Sequence, residues 1–181
     1  MKKMVLFLLC CLVLIPAYEC PANNLTDEEI IEIAREAYVY ALPLVIMDLT
    51  SKASTNVTEE NGAPINQFNH RPPASASDRL IVRPNADTLY SFAFLDLSEE
   101  PVVLSKPETD IYCSISILDG YTNSNEKILG TGGVDDGKAA KYLLHGPGYS
   151  GEDIPGLARV SIPTNMAWVM VRTKYERLFT I

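Results

Sequence analysis

Ile111-Tyr112-Cys113-Ser114-Ile115-Ser116-Ile117 decides the fold class. Apolar side chains fall on every second position, with Tyr112, Ser114 and Ser116 between them. A strand turns successive side chains to opposite faces, so this stretch reads as a half-buried strand with Cys113 facing inward. Runs of the same texture lie on both sides of it. Residues 80–82, 88–97 and 102–104 precede it, the second rich in Tyr and Phe; residues 142–144, 159–162 and 167–171 follow. Pro, Gly, Asn and Asp separate them. Short strands at close spacing with turn signals between them predict a β-sandwich.

Upstream the periodicity changes. Thr26 with Glu29 three residues on forms a capping box, and Asp27 and Glu28 suit a helix N-terminus. Ile30, Ile33, Ala34, Ala37, Tyr38 and Ala41 then recur at helical spacing, while Glu32, Arg35 and Glu36 take the other face. Pro43 removes a backbone donor, so a kink or stop is expected there, with a second short helix over 44–49. Residues 50–76 are polar and carry Pro64, Pro72 and Pro73, which predicts a long loop. The fold class is therefore mainly β with an N-terminal helical segment.

The first 22 residues read as a secretory signal peptide. Lys2 and Lys3 precede an apolar run over 4–15, and Pro16, Ala17, Cys20 and Ala22 follow. That run reaches about 18 Å as a helix, against a hydrocarbon core of about 30 Å, which disfavours a retained anchor. Cleavage after Ala22 fits, with cleavage after Ala17 the alternative. Tyr18 and Glu19 before Cys20 argue against lipidation. The expected location is secreted or periplasmic, with no membrane association once the leader is removed. Removal after Ala22 leaves Cys113 as the single thiol, so stability must come from packing. Asn24-Leu25-Thr26 and Asn56-Val57-Thr58 fit a glycosylation sequon.

The chain has 181 residues, with 15 Lys+Arg against 23 Asp+Glu, a net charge of −8. That balance excludes a nucleic-acid partner and a polybasic membrane-surface binder, since both need cations to meet phosphate. With 47% apolar and 21% charged residues the composition is globular. The domain layout is a leader at 1–22, a helical lead at 23–53, a polar loop at 54–79, a sandwich at 80–173 and a tail at 174–181.

Signatures of specific chemistry are mostly missing. Gly132, Gly137 and Lys138 nearly spell a phosphate loop, but Ala139 replaces the magnesium-holding hydroxyl and Asp135 and Asp136 oppose phosphate. A glycine-rich hairpin turn is the better reading. There is no Gly-x-Ser-x-Gly elbow, no His-Glu-x-x-His and no Cys-x-x-Cys, so no metal and no cofactor is expected. His145 before Gly146-Pro147-Gly148 reads as a turn residue, and His70 as a solvated loop histidine. Cys113 reads as an inert core thiol.

The densest polar set is Arg83, Asn85, Asp87, Thr88 and Tyr90, where a loop enters a strand. Asp119, Tyr121 and Asn123 follow the end of the next long strand. In a sandwich such loop ends can gather at one rim and bind a small polar ligand or run acid/base chemistry. The bland reading is that Asn and Asp here fix turns and that Arg83 pairs with Asp87.

Several of these strings resemble the family of unknown function numbered 1254. They are Ala37-Tyr38-Val39-Tyr40 with Pro43, Arg83-Pro84-Asn85-Ala86-Asp87-Thr88-Leu89-Tyr90-Ser91, Leu95-Asp96-Leu97 before Pro101, and Leu118-Asp119-Gly120-Tyr121-Thr122-Asn123. The likeness continues through 142–148 and 163–172. It implies a helical lead with an immunoglobulin-like β-sandwich, and a second, jelly-roll-like domain downstream, the family numbered 1214. The family pattern maps onto Asn85, Asp87, Thr88, Tyr90, Asp119 and Tyr121. The chain stops at Ile181, where the pattern runs on, so the resemblance implies a truncated member. The strand ending at Val171 would then face a second-domain or self-association partner. The expected function is an exported binding or structural module. The alternative is the N-terminal half of a hydrolase-like enzyme, with Asp87, Asp119 and Tyr90 near a polar cleft.

Overall fold

The computed structural model describes residues 25–59, 62–75, 83, 85–124 and 128–175. The expected leader, the run at 80–82 and most of the tail lie outside them. The chain divides into two units, Met1–Val39 and Tyr40–Ile181, and one helix, α1 (Asp27–Ser54), runs through the boundary. In the first unit the capping box forms as expected. The Thr26 amide donates to Glu29 Oε2 at 2.8 Å and the Glu29 amide to Thr26 Oγ1 at 3.2 Å.

The helix neither ends nor restarts at Pro43, which lies inside it. Loss of the proline N–H costs about 3 kcal/mol in a helix interior. Packing beyond that point offsets it: Met47 and Ser51, one turn apart, are both buried.

Eight strands follow: β1 (Asn69–His70), β2 (Thr88–Asp96), β3 (Val102–Lys106), β4 (Cys113–Asp119), β5 (Leu129–Gly130), β6 (Ala140–His145), β7 (Ala158–Ser161) and β8 (Met166–Lys174). They make a five-stranded sheet ordered β1-β2-β8-β4-β5 and a three-stranded sheet ordered β3-β6-β7. All pairings are antiparallel except β6 with β7. The fold is mainly β, two sheets and one N-terminal helix, in a sandwich-like arrangement.

The alternation in β4 has the predicted consequence. Cys113, Ile115 and Ile117 enter the core with Ala93 and Leu95 of β2, Ala167 and Val169 of β8, and Leu104, Tyr142, Leu144 and Val160 of the smaller sheet. Each fully buried aliphatic contributes about 1.5–3 kcal/mol. Cys113 is a free, buried thiol, touched at 3.9 Å by the Thr173 hydroxyl.

The glycine-rich stretch is not a hairpin. Its turns carry the chain from β5 in the larger sheet to β6 in the smaller one. Asp135 folds inward from it and meets Lys106 at 3.2 Å, with side chains 7% and 3% exposed. The Tyr142 hydroxyl donates to Asp135 Oδ2 at 2.6 Å, and the Gly130 and Gly137 amides donate at 2.9 and 3.1 Å. Burial alone would push the Asp135 carboxyl up. Tyr142, Gly130 and Lys106 outweigh it and hold the group below the usual carboxylate range. Burial and the neighbouring carboxylate push the Tyr142 phenol far up. Sequence reading placed Asp135 in a hairpin turn; the tertiary fold pairs it with Lys106 and Tyr142 of the smaller sheet and the Gly130 amide of the larger.

Candidate functional site

The predicted rim residues divide between two ends of the larger sheet. β2 and β4 both pair antiparallel to β8, so they run parallel to each other. Thr88 opens β2 opposite Lys174, and Asp119 closes β4 opposite Ala167. Seven residues of β8 separate those partners, about 23 Å at strand rise. Asn85, Asp87, Thr88 and Tyr90 therefore stand at one end, with the exposed Arg83 preceding them in the chain, and Asp119 and Tyr121 at the other. The expectation that they gather at one rim is corrected by strand direction, which residue spacing does not reveal.

At the Asp119 end the carboxylate is fully engaged in a turn. Asp119 Oδ1 accepts from the Tyr121 and Asn123 amides, both at 2.9 Å, and Oδ2 from Asn123 Nδ2 at 3.0 Å. Thr122 takes a positive φ of 66° to close that turn. The Tyr121 ring rests 5.2 Å from Tyr40 of α1. A hydrogen bond with Tyr40 pushes the Tyr121 phenol up, with burial and the charge of Asp119 adding to it.

The other end is arranged differently. Asn85 Oδ1 accepts from the Asp87 amide at 2.8 Å, and the Asp87 carbonyl accepts from the Tyr175 amide at 2.8 Å. Arg83 and Asp87 do not form an ion pair; the described arginines with carboxylate partners are Arg35 and Arg159. The Arg172 guanidinium lies over the Tyr90 ring at 5.5 Å. Thr88 Oγ1 is buried with no hydrogen-bond partner among the described residues.

Alternation puts Thr88, Tyr90, Phe92 and Phe94 on the face of the larger sheet turned away from the core. Phe94 stacks on Trp168 at 5.3 Å and Phe92 meets the same ring at 5.6 Å. Ser54 at the end of α1 and Thr55 just after it line a cavity of about 20 Å³ with Phe92, Phe94, Asn69 and Arg71. That is room for a water or two. The face grades from aromatic at Phe94 and Trp168 to polar at Tyr90 and Arg172.

The histidines depart from expectation in different ways. His145 ends β6 and is buried, its Nδ1 3.0 Å from the Gly146 carbonyl. His70 is exposed but belongs to β1, with Nδ1 2.7 Å from Ser91 Oγ. Among the described residues no three His, Cys, Asp or Glu converge as metal ligands, and no helix is long and apolar enough to cross a membrane. A cleft of about 280 Å³ between residues 97–101 and 148–151 holds none of the predicted site residues, and its carboxylates, Glu99 and Glu100, are exposed. Sequence reading placed Arg172 within the sandwich but did not single it out as a site residue. Its period-two spacing from Trp168 and Met170 was the available signal.

A helix and two sheets with this topology define a β-sandwich domain, and likeness to a solved structure supports the class. The VPA0106 protein from Vibrio parahaemolyticus superposes with a TM-score of 0.64 at 20% identity, over 81% of this chain and 34% of that one. This chain thus spans about a third of that protein's length. The family is settled by sequence: residues 65–178 match the model of the family described as "Protein of unknown function (DUF1254)", and the chain belongs to it. No curated protein matches it.

Proposed function

We propose that the chain is an exported binding module that takes a small polar ligand at the Thr88 end of the larger sheet. The signal-peptide pattern of residues 1–22 supports export. One observation carries the ligand reading: a buried Thr88 hydroxyl without a partner among the described residues, on the same strand face as Tyr90, whose ring lies under the Arg172 guanidinium. An orphaned buried hydroxyl costs about 1–3 kcal/mol, and a ligand acceptor would remove that cost. The hydrolase-like alternative rests on Asp87 and Asp119 sharing a cleft, and the strand order separates them.

The test is thermal unfolding of the chain against a panel of small sugars, amino acids, carboxylates and phosphates, with Thr88→Val alongside. A ligand present at a hundred times its Kd stabilises by about 2.7 kcal/mol, a rise of about 5–10 °C. The expected result is a shift in the wild type that Thr88→Val loses while staying folded. A panel without effect, or equal shifts in both proteins, refutes the reading.

A further inference from the structure

The character of that ligand follows from the strand register. β1 places Asn69 opposite Phe92 and His70 opposite Ser91, and the Arg71 amide continues the ladder to the Tyr90 carbonyl at 2.8 Å. Arg71 thus stands beside Tyr90, and it shares a cavity wall with Phe92 and Phe94, the ring face of the sheet. On the other side of β2, Tyr90 pairs with Arg172, which in turn pairs with Ser114. One row reads Arg71, just past β1, then Tyr90 of β2, Arg172 of β8 and Ser114 of β4. Thr88 and Lys174 form the next row outward. The two arginines flank one phenol, their Cα atoms two strand spacings apart, about 10 Å.

We propose that this row is a seat for an oxyanion, so that the ligand is a small carboxylate or phosphate. The assignment rests on the binding-module reading above. Three observations carry it. The chain is acidic, with 23 carboxylates against 15 cations, yet Arg71, Arg83 and Arg172 have no carboxylate at ion-pair distance among the described residues. Elsewhere Arg35, Lys52, Lys106 and Arg159 are each paired, with Glu32, Asp48, Asp135 and Asp153, while Lys138 and Lys141 have no carboxylate at ion-pair distance among the described residues. Arg71 and Arg172, unpaired in an acidic protein and standing on either side of Tyr90, make a local positive field. Next, the acid closest in sequence points elsewhere. Asp87 hydrogen bonds to Tyr175 through its backbone, one position out of phase with Thr88, so alternation gives it to the opposite face. Last, the Arg172 guanidinium lies over the Tyr90 ring at 5.5 Å and places one N–H 3.4 Å from Met170 Sδ, leaving its other N–H groups to bind. A planar fork held this way suits a carboxylate or phosphate better than a lysine would. Thr88 adds a hydroxyl to the same corner.

Isothermal titration of the purified chain at low salt tests this, using inorganic phosphate, succinate and neutral glucose as separate probes. Wild type is expected to bind phosphate or succinate, the two arms telling which oxyanion is preferred, and to ignore glucose. Arg71→Gln and Arg172→Gln should each weaken binding by about tenfold or more, the loss of one charged hydrogen-bond donor. Arg172→Lys should recover only part of it, and Lys141→Gln on the smaller sheet should bind as wild type. Near-UV circular dichroism confirms that each variant is folded. Anion binding that survives both arginine substitutions overturns the seat. Silence toward both anions also overturns it: if the ligand panel still gives a Thr88-dependent shift, the module reading stands without the anion, and if not, both fall.

Discussion

Asp135→Ala isolates the contact by which an irregular loop joins the two sheets. The Lys106 ammonium is 3% exposed, and its carboxylate lies 3.2 Å away. Removing one partner of a buried pair costs about 3–5 kcal/mol, because the other charge stays in the interior. The Tyr142 hydroxyl and two glycine amides lose their acceptor at the same time, each costing about 1–3 kcal/mol where water does not replace it. A loss of about 5 kcal/mol is expected, or about 10–20 °C in Tm for a domain of this size. Lys106→Met should cost less, since Asp135 keeps three hydrogen bonds. Urea unfolding read by Trp168 fluorescence measures both, because that ring stacks on Phe94 within the larger sheet. A loss below about 1 kcal/mol for Asp135→Ala, or a larger loss for Lys106→Met, would refute the reasoning.

The same carboxyl shapes the acid limb of stability. Its folded pKa lies below the ordinary value, so its contribution is present above about pH 4 and lost as pH falls through the folded value. Stability profiles of wild type and Asp135→Asn should therefore converge in acid and separate toward neutral pH; parallel profiles would show that Asp135 is not held low. Gly130 has φ +105°, and a Cβ there would stand 1.9 Å from the Cys113 carbonyl oxygen. Gly130→Ala should destabilise by more than about 1 kcal/mol in the same urea assay, and a neutral result would mean the β4–β5 crossing is looser than the backbone implies.

Local patterns were legible where one element's periodicity carries the information. Period two located β4 and turned Cys113 inward, the aromatic run located β2, and the capping box set the start of α1. Pro43 misled because its local penalty is real, while the burial of Met47 and Ser51 that overrides it is tertiary. The role of Asp135 was not legible for a related reason: a glycine-rich stretch reads as a local turn, while Lys106, Tyr142 and the Gly130 amide reach Asp135 only in the tertiary fold. The candidate site suffered most. Residues 83–90 were singled out as a cluster, but joining them to Asp119 required knowing that β8 lies between β2 and β4. Arg71 and Arg172 are about a hundred residues apart in sequence and become neighbours of Tyr90 through the same pairings.

The borders of the larger sheet bear on how copies of this chain behave in a crowd. A long exposed strand is a template for another chain's backbone. Here β2 is flanked by the two residues of β1, with Asn66 and Arg71 bonding to Phe94 and Tyr90 beyond its ends. β4 is flanked by the two residues of β5, with Thr131 bonding to Cys113 and Asn123 to Asp119. On the smaller sheet, border strand β3 turns Lys106 inward, a charge that an invading strand would have to accommodate. Polar groups along the borders of the larger sheet are thus taken up by bent loops with no continuous ladder, and that sheet resists stacking edge to edge into fibres.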